Sequence, residues 1–141
     1  FKGSQAKGVM TVSQVSAGRK CQLVYEINGS KASLAWDSER PNELWRGSRD
    51  TWNGLLVKDP SLMQSSAKKY ARYPGGHAEG FPDSHTGFQR AVFEYIGDDL
   101  GAKGVKPEFA TFATGHHEQV LAEAILTSAR GGRWVEVATA R

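Results

Sequence analysis

Between residues 20 and 27, polar and apolar side chains alternate. Cys21, Leu23, Tyr25 and Ile27 fall on one face and Gln22 and Glu26 on the other, with Val24 alone out of step. A period of two marks a β-strand with one face buried, the habit of antiparallel sheets. Asn28, Gly29 and Ser30 then supply a turn, since Asn and Gly tolerate positive φ. Leu34 and Trp36 share a face over residues 32–37, so the pattern predicts a hairpin. Residues 9–16 before it, with 43–46 and 55–57 after it, extend the set to about five short strands joined by loops of ordinary length. The first half of the chain is expected to be a meander.

From Phe81 the period lengthens. Phe81, Phe88, Val92, Tyr95 and Ile96 recur at helical spacing, Pro82 suits a first turn, and Gly97 and Gly101 bracket the expected end. Gly87 weakens this helix by about 1 kcal/mol relative to alanine. A connection rich in Gly, Lys and Pro leads to Phe109. Thr114 is the expected N-cap of a second helix, with Glu118 in its first turn, Leu121, Ala124, Ile125 and Ser128 on one face, and Arg130 with Gly131 at its close. Residues 134–137 read as a last strand. This order predicts the α+β class, a largely antiparallel open-faced sheet with two helices packed on one face. The other sheet face is left uncovered. If apolar, it calls for a second copy or another domain; if simply polar, it calls for nothing.

The length of 141 residues suits a single domain, 1–141. The first residue is Phe1, which leads us to expect a processed product or, in preference, a piece of a longer chain. Neither end carries a signal-like segment, and no apolar run is long enough for a bilayer, so a soluble protein with no membrane partner is expected. The single cysteine, Cys21, cannot close an internal disulfide, which favours a reducing compartment and hence the cytoplasm. The net charge of +3 comes from 18 basic and 15 acidic side chains interleaved along the chain, without a nucleic-acid-binding motif. No nucleic acid is expected as a partner.

Candidate chemistry concentrates between Lys58 and Phe81. This long, weakly periodic stretch holds Leu62, Met63, Tyr70, Tyr73 and Pro74 before Gly75-Gly76-His77-Ala78-Glu79-Gly80-Phe81-Pro82-Asp83. Such a mixture suits an ordered loop lining a cleft better than a solvated linker. The glycines permit positive φ or close approach around His77 and Glu79, which can hydrogen-bond hydroxyls or move protons. Asp83 and His85 follow. An equally local reading makes the glycines turns, Asp83 a helix-terminus charge and His77 a satisfied loop residue.

Other chemistries fit less well. His77, Glu79, Asp83 and His85 match no metal-ligand spacing, and neighbours such as His116 and His117 diverge on a helix. His77-Ala78-Glu79 copies half of a zinc deaminase signature, but the Pro-Cys-x-x-Cys half is absent. There is no Gly-x-Ser-x-Gly, and Ser84 has no evident base. No two glycines stand two positions apart, which excludes Gly-x-Gly-x-x-Gly, and no Gly-Lys is followed by Ser or Thr as a P-loop requires.

Three stretches carry a family likeness: Gly29-Ser30-Lys31-Ala32-Ser33-Leu34-Ala35-Trp36, Arg40-Pro41-Asn42-Glu43-Leu44-Trp45, and Tyr73-Pro74-Gly75-Gly76-His77-Ala78-Glu79-Gly80-Phe81-Pro82-Asp83. They resemble the C-terminal half of the predicted dehydrogenases related to glucose-fructose oxidoreductase and inositol dehydrogenase, the Gfo/Idh/MocA family. Gly131-Gly132-Arg133-Trp134-Val135-Glu136-Val137 is similar to the family's closing helix and strand. The resemblance implies an N-terminal Rossmann domain, absent from this chain, that binds NAD or NADP. It also implies a C-terminal domain whose open sheet makes substrate-side and subunit contacts in a homo-oligomer. Members act by hydride transfer on a sugar, cyclitol or related polyol, chemistry that belongs to the cofactor.

The family's Glu-Lys-Pro motif and its helix-borne Asp and His do not occur here, so no catalytic residue carries over and the chain alone is expected to bind no cofactor and to be inactive. The loop does match, making His77, with Glu79 and Asp83, the expected substrate contacts. The chain departs from the resembling subgroup at His85 and Gly87, where an aromatic and a larger polar residue are usual. His85 falls on the stripe of Phe81, Phe88 and Val92 and reads as a core histidine. A non-enzymatic open-sheet module that dimerises or binds carbohydrate remains the alternative.

Overall fold

The computed structural model describes residues 3–138. Its chain divides into two compact units, one ending at Gly80 and the other starting at Phe81.

The first unit is built on an antiparallel sheet of β1 (Val24–Asn28), β2 (Ala32–Asp37), β3 (Glu43–Ser48) and β4 (Gly54–Val57), in that spatial order. Each strand is joined to the next by a short reversal, so the meander is present. Gly29 N–H donates to Ala32 O at 2.9 Å to close the first hairpin, and the Arg49 guanidinium donates to the carbonyls of Ser30 and Gly29 at 2.7 and 3.1 Å. These bonds satisfy loop carbonyls that the turn would otherwise leave to water.

The register aligns Tyr25 with Trp36, Trp36 with Leu44 and Leu44 with Leu56, an apolar row that crosses all four strands on one face. Tyr25 and Trp36 stack with ring centroids 6.1 Å apart, the cross-strand aromatic pairing that stabilises sheets. On the opposite face, the Trp45 ring lies over Gly47. A Cβ built at Gly47 would meet Trp45 Cη2 at 2.4 Å. Gly47 is the one buried position among the described residues, where every apolar side chain keeps some exposure.

Three expectations for strands are corrected. Residues 9–16 alternate suitably but form no strand, and Val9 and Val15 are 98% and 92% exposed. Alternation selects a face only when a neighbouring strand takes up the backbone groups, and here β1 is a sheet edge. The strand expected from Lys20 begins at Val24, because Leu23 is instead held by Ser38, through Ser38 N–H to Leu23 O at 2.9 Å and Leu23 N–H to Ser38 Oγ at 2.7 Å. Residues 134–137 form no strand either, and Trp134 is 99% exposed. Arg133 N–H donates to Ser128 O, and the Ser128 hydroxyl to Arg133 O, so the chain leaving the helix is tied to the last helical turn.

A short helix, α1 (Ser65–Lys68), sits in the long loop of the first unit. The second unit carries α2 (Phe81–Gly97) and α3 (Phe112–Gly131). Phe109, in their connection, makes edge-on contacts with Phe88 and Tyr95 at 6.2 and 5.4 Å, and the Tyr95 hydroxyl donates to Val105 O at 2.8 Å. The connection is thus pinned to one stripe of α2.

The left-handed residue after α2 is Asp99 (φ 52°), with Leu100 N–H reaching back to Tyr95 O. Asp99 thereby takes a role expected of the bracketing glycines; Asp is among the few non-glycine residues that tolerate this region. For α3 the N-cap is Thr111 rather than Thr114. Thr111 Oγ1 accepts from Thr114 N–H while Thr114 Oγ1 accepts from Thr111 N–H, a reciprocal box that starts the helix early and leaves no acid in its first turn, so Glu118 falls beyond it. Gly132 closes α3 in the left-handed region. His85 is exposed and edge-on to Phe81 at 4.5 Å, rather than in a core. No helix among the described residues is long and apolar enough to cross a membrane.

The architecture is therefore α+β, the class that the sequence predicts, with an open antiparallel sheet of four strands rather than the larger number expected, and two main helices.

Candidate functional site

The pairing of β3 with β4 aligns Glu43 with Val57, so the residues flanking that pair, Asn42 and Lys58, are brought side by side; Lys58 N–H donates to Asn42 O at 2.8 Å. Both side chains turn to the loop that follows. The Asn42 amide makes a two-point clamp on Glu79, donating from Nδ2 to Glu79 O at 2.9 Å and accepting Glu79 N–H at Oδ1 at 3.0 Å. Lys58 Nζ is ion-paired with Glu79 Oε2 and also donates to Tyr73 O at 3.2 Å. The other carboxylate oxygen, Oε1, accepts Arg72 N–H at 2.7 Å.

The Lys58 and Glu79 side chains are each only 10% exposed. Burial by itself pushes the Glu79 carboxyl up. The hydrogen bond from Lys58, the Arg72 amide, the Lys58 charge and the Tyr73 amide outweigh it and hold the carboxyl below its ordinary value. Nearby, the Ser61 hydroxyl and amide donate to Asp59 Oδ1 at 2.7 and 2.9 Å and lower the Asp59 carboxyl too.

Two glycines shape the loop between these anchors. A Cβ at Gly75 would stand 3.2 Å from Asp59 Cγ, so the backbone passes close to that carboxylate. Gly76 has φ +82°, and His77 N–H closes the turn onto Pro74 O at 3.2 Å; a positive φ at the third position is what glycine supplies in such a turn. His77 emerges exposed, its Nδ1 3.4 Å from Gly75 O. It lines a cavity of about 130 Å³ with Asn42, Val57, Lys58, Gly76 and Ala78. Ligand pockets commonly run to about 300–1,000 Å³, so this cavity by itself is too small to enclose anything as large as a sugar.

His77 and Glu79 are thus brought together on one loop, with different surroundings: the imidazole faces a cavity and the carboxylate is committed to the protein. Asp83 belongs to the second unit, half-buried in the first turn of α2, where a carboxylate complements the helix dipole. Asn42 and Lys58 were not singled out by sequence reasoning. Their partners lie 37 and 21 positions away, and only strand pairing unites them. Cys21 is a free, exposed thiol. Among the described residues no group of three or more His, Cys, Asp or Glu side chains could hold a metal ion.

No protein-family model matches the chain, and no curated protein matches it. Solved structures do. The chain is similar to an oxidoreductase from Sinorhizobium meliloti, with 26% identity and a TM-score of 0.75 over 88% of this chain and 35% of that one. An oxidoreductase from Pseudomonas syringae matches at 26% identity and a TM-score of 0.58 over 69% of this chain and 28% of that one. An inositol dehydrogenase homolog from Azotobacter vinelandii, complexed with NAD+, shares the fold at 23% identity and a TM-score of 0.75 over 88% of this chain and 33% of that one. The chain spans about a third of the length of the S. meliloti and A. vinelandii structures. It has the fold of a domain that oxidoreductases carry as about a third of their length.

Proposed function

We propose that this chain is the substrate-side and oligomerisation domain of an NAD(P)-dependent oxidoreductase acting by hydride transfer on a sugar, cyclitol or related polyol. The observation that carries the reading is the match to the S. meliloti oxidoreductase over nearly all of this chain but only a third of that one. Further support comes from A. vinelandii inositol dehydrogenase homologs, complexed with NAD+ in one structure and with NADH and myo-inositol in another.

The residues present do not fit a dinucleotide. No two glycines stand two apart, and the sheet among the described residues is wholly antiparallel, without the strand-turn-helix that cradles a pyrophosphate. On this reading a preceding Rossmann domain holds the cofactor, and residues 1–141 act as one substrate-side domain that is inactive alone. His77 contacts substrate at the 130 Å³ cavity, with Asp83 a second candidate on α2. The row of Tyr25, Trp36, Leu44 and Leu56 is the subunit-facing part of the open sheet. The cytoplasm suits such an enzyme and its free Cys21.

The test compares the full-length protein with this chain alone, by NADH and NADPH fluorescence titration and by dehydrogenase rates with myo-inositol and a panel of sugars. The reading expects cofactor binding and turnover by the full-length protein only, and a raised KM for His77→Ala. A full-length protein that binds neither nucleotide overturns it and leaves a non-enzymatic module in its place.

A further inference from the structure

We propose that Glu79 is a positioning residue that sets the conformation of residues 72–80 and so aims His77, and that its own carboxylate never touches the ligand. This rests on the reading of His77 as a substrate contact and assigns its neighbour a different role.

The geometry is that of a loop closed on its own beginning. Glu79 Oε1 takes the Arg72 amide, while Oε2 takes Lys58 Nζ, which also holds Tyr73 O. The entry to the turn is therefore fastened by the carboxylate, directly and through Lys58. The exit is fastened by Asn42, whose amide grips both backbone groups of Glu79. Between the two anchors run only Pro74, Gly75, Gly76, His77 and Ala78, with Gly76 in the left-handed region and Gly75 against Asp59. Two glycines would leave this turn many conformations if its ends were loose.

The same bonds argue against a ligand role for the carboxylate. Both oxygens already accept charge-assisted or backbone hydrogen bonds, and the side chain is 10% exposed. A sugar hydroxyl would have to reach a largely buried carboxylate whose two oxygens are already held by a lysine ammonium and a backbone amide, stronger donors than itself. His77, by contrast, is exposed and lines the cavity. Lys58 lines it too, so the ion pair lies beside the cavity that His77 faces.

The experiment uses the full-length protein. Amide hydrogen exchange over residues 72–80 is measured without ligand, and initial rates are measured with NAD+ and myo-inositol as probes. Glu79→Gln keeps the shape and the Oε1 acceptor but removes the charge facing Lys58. It should speed exchange in residues 72–80 and raise KM about tenfold, the equivalent of 1.4 kcal/mol, with kcat within about twofold of the parent. In a His77→Ala background Glu79→Gln should add nothing to KM, because its effect runs through that side chain. Lys58→Met, which removes the ammonium partner and leaves the carboxylate in place, should likewise speed exchange in residues 72–80, which guards against a Glu79→Gln variant that folds poorly.

A full tenfold increment on top of His77→Ala overturns the proposal, as does a loosened loop with unchanged KM. If the parent protein turns over no polyol, the functional reading fails by itself. Exchange then decides the proposal, and equal protection in parent and Glu79→Gln overturns it.

Discussion

Gly47→Ala tests whether the sheet's second face is organised by a single ring. Gly47 is not among the positive-φ glycines, so its backbone tolerates alanine. The obstacle is the Trp45 ring, since the new Cβ would fall 2.4, 2.9 and 3.1 Å from three of its carbons. Backbone cannot yield easily within a paired strand, whereas the ring can swing out.

Trp45 is 37% exposed, so most of the side chain is covered. Lifting it off Gly47 and re-exposing about 80 Å², roughly a third of what a buried aromatic hides, costs about 2 kcal/mol at about 25 cal/mol/Å². Alanine recovers about 0.5–1 kcal/mol of the conformational freedom that glycine loses in a strand. The net loss is about 1–1.5 kcal/mol, which lowers a urea midpoint by about 0.6 M for a slope near 2 kcal/mol/M. The assay is urea unfolding followed by far-ultraviolet circular dichroism, run as a cycle with Trp45→Ala. Without the ring, Gly47→Ala should be neutral or stabilising. An unchanged midpoint in the parent, or the same loss in both backgrounds, refutes the reasoning.

Two further outcomes follow from the bonding. The Glu79 carboxyl is held below its ordinary value of 4.5 in the folded state, so its ionised form contributes stability that is complete above that value and lost as pH falls through the folded-state value. The stability gap between the parent and Glu79→Gln should be widest near neutrality and shrink below about pH 4.5; urea midpoints that keep a constant gap across that range would contradict the assignment. Removing the box at the start of α3 by Thr111→Ala should cost about 1 kcal/mol of unfolding free energy in urea titration, while Glu118→Gln, beyond the first turn, should change it by less than about 0.5 kcal/mol; equal losses would move the cap back to Thr114.

Much of the architecture was legible in one dimension. The alternation through Tyr25 and Ile27, the Asn28-Gly29-Ser30 turn and the face shared by Leu34 and Trp36 are local properties, and each reappears as a paired strand or hairpin. The period of α2 was local in the same sense, and Gly131 does end the last turn of α3, although the left-handed cap is its neighbour Gly132. Where a local signal had rivals, the sequence misled. Thr111 and Thr114 are both good caps, and only the reciprocal bond between them selects the first. Residues 9–16 have a strand's pattern without a strand's partner.

The candidate site divides along the same line. That Gly75-Gly76-His77-Ala78-Glu79 forms an ordered turn carrying two ionisable side chains was legible in the sequence, because residue types and glycine spacing mark such a turn wherever the chain goes. What the two ionisable side chains face was decided only by tertiary structure. The pairing of β3 with β4 brings Asn42 and Lys58 to the loop from the same end of that pair. A carboxylate's role depends on which donors reach it first, and donors 21 and 37 positions away are invisible to any local pattern. Glu79 is consequently turned inward while His77, two positions earlier, remains at the cavity.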